Sequence, residues 1–196
     1  MLKRMIFPSA IFVGLLFSTL QISYAQEMTA DELAAVKAQM LTELKDQAAL
    51  ERKAKIEKMV PPKSSGVQSV DNLATGVGVL VVSTNENTKL IPELYKRTLG
   101  ESVDGNADLT VKKPKLDELV SLAGNITTQI ASTNAIIAAI PDASSDISKA
   151  SPMQAPKATK ALNFVKENAP IILPELQSNL NVVNNLIKVV KSSKNY

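Results

Sequence analysis

The chain has 196 residues, with 22 Lys and Arg against 19 Asp and Glu for a net charge of +3, and it contains no Cys, His or Trp. Those absences exclude disulfides, a Cys or His nucleophile–base pair, and zinc or haem sites built on Cys or His ligands. A near-neutral chain with few aromatic rings also gives no basis for gripping nucleic acid, which calls for a strong positive field or stacking platforms.

The first 25 residues read as a cleaved signal peptide. Lys3 and Arg4 supply a positive start, Ile6 to Leu20 is an apolar stretch, and Ser23-Tyr24-Ala25 places small residues at the positions a signal peptidase needs. Cleavage after Ala25 would leave 171 residues, residues 26–196, as a single helical domain. It would remove Lys3 and Arg4, lowering the net charge to +1, and most of the aromatic side chains, leaving Tyr95, Phe164 and Tyr196. The expected location is therefore exported, periplasmic or extracellular, and the expected core is aliphatic.

Thr29-Ala-Asp-Glu32 has the pattern of a capping box. Leu33, Val36, Met40, Leu44, Ala48 and Ile56 recur at near-helical spacing, and no Gly or Pro intervenes before Pro61-Pro62. Residues 26–60 are thus expected to form one long N-terminal helix, charged in its second half and partly protruding, with 61–196 as the bundle body. Its charged stretch, Lys45 to Lys58, could contact a lipid or membrane surface, but its mixed signs and few large apolar anchors favour a solvated helix face.

Val70 to Val82 fits a helix, while Val77-Gly-Val-Leu-Val-Val82 alone also fits a buried strand; helix is preferred because no partner strand is evident. Asn85 to Thr88 reads as a break, Pro92-Glu93-Leu94 as a restart, and Gly100 as a C-terminal stop. Leu116 to Ile140 is the clearest helix, with Pro141 ending it. A short helix around Ala158 to Val165 is expected to stop or bend at Asn168-Ala-Pro170, and Pro174-Glu175-Leu176 to lie at the start of the last helix, which ends in Lys188, Lys191 and Lys194.

Candidate sites are few. Asp104, Asn106 and Asp108 alternate like the opening of a calcium loop, but Leu109 stands where Gly is wanted and Lys115 where a bidentate Glu is wanted. Glu93, Glu118 and Glu175 could be inward carboxylates of a metal-binding bundle, yet such sites use a Glu-x-x-His pair, and each Glu reads as a first-turn residue that suits the helix dipole. No Ser-x-x-Lys, Gly-x-Ser-x-Gly or phosphate-loop pattern occurs. No catalytic, cofactor-binding or metal-ligating residue is therefore assigned, and no enzyme activity or cofactor is expected.

The fold class that follows is all-α: an antiparallel bundle of about four to six helices with a long, charged first helix. The expected function is a non-catalytic protein-interaction or structural module of the bacterial envelope or exterior, meeting an unidentified protein partner through the first helix. The alternative is a carrier of an apolar ligand such as a lipid, which calls for an enclosed apolar cavity of about 300 Å³ or more.

Overall fold

A computed structural model describes residues 27–193; the expected signal segment and the last three residues lie outside them. The described residues form five helices: α1 (Ala30–Lys45), α2 (Gln47–Glu57), α3 (Gln68–Leu99), α4 (Leu116–Ile147) and α5 (Ala155–Ser192). Among them there is no strand, only an isolated bridge between Glu101 and Ala107 in the loop after α3. Val77 to Val82 lies inside α3, so the strand alternative falls away: Val77, Leu80 and Val81 face the core, while Val79 and Val82 face solvent, which is helical and not alternating burial.

α3, α4 and α5 alternate in direction, whereas α2 continues the course of α1 beyond Asp46. Asn87 Nδ2 on α3 donates to Gln129 Oε1 on α4 at 3.0 Å, and Arg97, further along α3, pairs with Glu118 near the start of α4. Gln154, just before α5, donates to the carbonyl of Gly66, just before α3, at 3.2 Å, so the two helices start at the same pole and run parallel. The α3–α5 pair is the spine of the bundle. α4 packs on both from one side; from the other, α1 packs on α5 and α2 on α5 and α3. At about 1.5 Å per residue, the 38 residues of α5 extend about 57 Å.

The capping box at the start of α1 is formed: Glu32 N–H donates to Thr29 Oγ1 at 3.2 Å, and Thr29 N–H donates to Glu32 Oε2 at 2.8 Å. The long first helix is in fact two. Asp46, in extended conformation (φ −54°, ψ 142°), ends α1 and starts α2, its carboxylate accepting from Ala48 N–H at 3.3 Å. The break has a packing cause. Met40 and Leu44 are buried, but a regular helix would next bury Ala48; instead Ala48 is exposed and Ala49 and Ile56 are buried. One residue of slip at Asp46 keeps both halves facing the spine. The first helix therefore lies along the body, and most of its apolar strip is inside the core.

Three expected stops are absent. Asn85 to Thr88 lies within continuous α3, as does Pro92; α4 runs through Pro141 to Ile147; and α5 runs through both Pro170 and Pro174. An internal proline costs about 3 kcal/mol through its missing N–H and ring clash. The offset comes from burial on both sides of each proline. Around Pro170 and Pro174, the side chains of Val165, Ile172, Leu176 and Val183 are wholly buried, each worth roughly 1.5–3 kcal/mol. Pro141 and Pro170 are themselves exposed, so their rings take no core space. Gly100 does end α3, in a left-handed conformation (φ 73°). The apolar side chains of the core are mostly aliphatic, with Tyr95 as the largest fully buried side chain, its hydroxyl donating to Glu101 Oε1 at 3.4 Å.

Candidate functional site

The most unusual local chemistry surrounds Glu175. Its sequence setting resembles a helix start, but it lies 20 residues into α5, on the same face as Ile172, Leu176 and Asn179, and has no exposed surface. Arg52 Nε on α2 donates to Glu175 Oε2 at 3.3 Å, from a side chain that is one-quarter exposed. Glu175 Oε1 has no hydrogen-bond partner, and neither does Asn179 Nδ2 one turn further on. Burial pushes the Glu175 carboxyl above the usual range, while the positive charges of Lys53 and Arg52 pull the other way.

The surrounding groups explain why the carboxylate is there. Lys53 Nζ donates to the carbonyl of Leu44 at 3.0 Å, crossing the break at Asp46 and capping the end of α1. Burial holds its ammonium below the usual lysine range, opposed by the charge of Glu175. On the α1 side of the break, Glu43 accepts from Ser178 Oγ at 2.6 Å and from Asn181 Nδ2 at 3.0 Å, both on α5. Two carboxylates and two cations thus stitch both sides of the break to α5. Chemically, this cluster can take up or release a proton and can hold two helices in place. No solute reaches the Glu175 carboxylate in this conformation, so it is built as a latch.

The other sequence candidates are dispersed. Asp104 pairs with Lys45 at 3.1 Å, and Asp108 pairs with Lys96 at 2.8 Å and accepts from Thr110 Oγ1 at 2.7 Å. The Lys96 and Thr110 bonds hold the Asp108 carboxyl down at about 2. Asn106 uses its backbone to close the loop on Ser102. The three residues of the calcium-like pattern therefore point at different partners. Glu118 does sit in the first turn of α4, gripped by Arg97 through both oxygens at 2.8 and 3.1 Å. Glu93 is exposed on α3. Glu93, Glu118 and Glu175 do not converge, and no group of three metal-ligating side chains gathers among the described residues.

Surface clefts accompany these elements. One, about 690 Å³, lies between the loop after α2 and the start of α5 and includes Val60, Pro61, Lys160 and Phe164. A second, about 380 Å³, adjoins it through Val60 and Phe164. A third, about 390 Å³, is lined largely by Gln39, Asn181, Asn184 and Asn185; a fourth, about 330 Å³, includes Lys53, Asn85 and Lys89. These four open to solvent and mix polar with apolar walls. They are not the enclosed apolar chamber that a lipid carrier needs. No helix among the described residues is long and apolar enough to cross a membrane.

No known protein family, curated protein or solved structure matches this chain.

Proposed function

We propose that this protein is a non-catalytic interaction or structural module of the bacterial envelope or exterior, recognising a protein partner through the outer faces of its helices. One observation carries the reading: from Leu119 to Pro141, α4 has no charged residue, although much of that stretch faces solvent. A solvated helix face ordinarily carries charge on roughly a quarter to a third of its positions. The exposed positions include the polar Asn125, Thr127, Ser132 and Asn134 and a run of small residues at Ser121, Gly124, Thr128, Ala131, Ala135 and Ala138, with Val120 half exposed beside them. A Cβ at Gly124 would meet no atom within 4 Å, so this glycine makes room for nothing inside the bundle.

The first helix fits this role less well. Leu33, Leu50 and Val60 are exposed, but Met40, Leu44 and Ile56 are committed to the core. A deletion of residues 26–60 would therefore uncover the spine, and point substitutions are the sound test. In affinity capture with residues 26–196, A131E/A135E is expected to lose the partner that the parent chain retains, whereas L33E/L50E keeps it. Equal capture by parent and A131E/A135E chains, both with unchanged helicity, would refute recognition through α4.

A further inference from the structure

We propose that one pole of the bundle docks on an anionic lipid bilayer. This goes beyond the outer-face reading and does not depend on it. Two segments meet at this pole, 58–66 after α2 and 148–160 across the α4–α5 turn, joined by the hydrogen bond from Gln154 to the Gly66 carbonyl. Together they carry Lys58, Lys63, Lys149, Lys157 and Lys160, all exposed, and no Asp or Glu.

The two poles differ in how their charges are used. At the far pole, Lys37, Lys45, Lys96 and Arg97 are paired with Glu101, Asp104, Asp108 and Glu118, while Lys112 and Lys115 have no ion-pair partner among the described residues. At this pole, Lys149 pairs with Asp146, but Lys58, Lys63, Lys157 and Lys160 have no ion-pair partner among the described residues. The nearest acid at the start of α3, Asp71, is occupied by Ser64, Ser65 and Gly66. Four ammonium groups on one end therefore face outward without an ion pair, flanked but not engaged by the exposed Glu57, next to Lys58, and Glu167, in the same cleft as Lys160.

Apolar side chains stand among these lysines. Met153 is 81% exposed and Val60 78%, and both sit on proline-bearing turns beside Pro152 and Pro61. Exposed apolar tips ringed by lysines suit the boundary between headgroups and acyl chains, where the tips enter and the ammonium groups remain at phosphate level. An acidic protein surface would use the lysines but give Val60 and Met153 no comparable reward. With no Trp or Tyr at this pole, the attachment is weak, reversible and sensitive to salt.

The test is flotation of residues 26–196, a stretch that holds all five helices and the core they close, with two vesicle types. One is phosphatidylcholine alone; the other contains about one-third phosphatidylglycerol. Binding is expected only to the anionic vesicles and to fade as salt rises from about 0.05 to 0.5 M. K58Q/K63Q/K157Q/K160Q should weaken it by roughly fivefold per lysine, and V60D/M153D should weaken it at unchanged helicity. A131E/A135E should bind as the parent does, which separates this proposal from the α4 reading. Failure to bind anionic vesicles, equal binding to both vesicle types, or full binding by the four-lysine variant would overturn it. Indifference to V60D/M153D together with equal affinity for polyglutamate would also overturn it, in favour of an acidic protein partner.

Discussion

Replacing Arg52 with Ala tests what the buried carboxylate does. Glu175 keeps one hydrogen bond, from Arg52, and its other oxygen has none. In R52A the carboxylate loses that bond while Lys53 remains engaged with the Leu44 carbonyl. A hydrogen bond to a charged group is worth about 1.5–3 kcal/mol, and breaking a fully buried ion pair costs about 3–5 kcal/mol. Because Arg52 is one-quarter exposed and water screens part of the pair, the loss at neutral pH should be about 2–3 kcal/mol. That corresponds to a urea midpoint lowered by about 1 M. The pH dependence is the sharper readout. A carboxyl held above its ordinary range favours the folded state when protonated, and that contribution is lost as pH rises through the folded-state value. Removing Arg52 raises that value further, so R52A should approach the parent in acid and fall behind as pH climbs above the ordinary glutamate range. The chain lacks Trp, so urea unfolding is best followed by helical circular dichroism across pH. R52M/E175L should be at least as stable as the parent at pH 7, because two apolar side chains carry no desolvation cost. An R52A deficit of the same size in acid and at neutral pH would refute the assigned role of Glu175.

Three further outcomes follow from the same geometry. Asp71 accepts from Ser64 Oγ, Ser65 N–H, Ser65 Oγ and Gly66 N–H at 2.6–3.0 Å, and these bonds outweigh desolvation to hold its carboxyl at about 2. Its stabilisation is present above the unfolded value near 3.8 and is lost as pH falls towards 2; D71A should cost about 1–2 kcal/mol at neutral pH and flatten the acid limb of the stability profile. G66A should cost at least about 1 kcal/mol by chemical denaturation, because φ is +84° and the added Cβ would stand 2.7 Å from Gln154 Nε2. T29A should lower stability by no more than about 1 kcal/mol, with faster amide exchange confined to the first turn of α1, since that end is exposed.

What was legible in the sequence was local chemistry that tertiary packing leaves alone. The capping box at Thr29 and Glu32 and the glycine stop at position 100 are satisfied within a few residues, and both formed as read. The helical class followed from apolar spacing alone. The prolines misled because their cost is local while the burial that outweighs it comes from α3 and α4. The same error hid Glu175: with Pro174 taken as a start, the glutamate became a dipole-facing residue instead of a member of the stripe Ile172, Leu176, Asn179 and Val183. Asp46 did carry a signal, a preferred N-cap residue followed by a stripe that fits better when shifted by one position. Of the candidate residues, Glu118 stands where its first-turn reading placed it, and the calcium-like trio is drawn apart by Lys45 and Lys96, whose proximity no spacing rule could reveal.

The order of the helices along the chain has a consequence for biogenesis. α5, which touches the four other described helices, is the last of the five to be synthesised. Until residues 155–192 leave the ribosome, the greasy sides of α1 and α2 have no lasting mate, and α3 and α4 make at best a half-finished hairpin. A nascent chain of this kind must wait, extended or held by a chaperone, until α5 arrives, so a premature stop before residue 155 should yield an open chain prone to aggregate and not a smaller bundle.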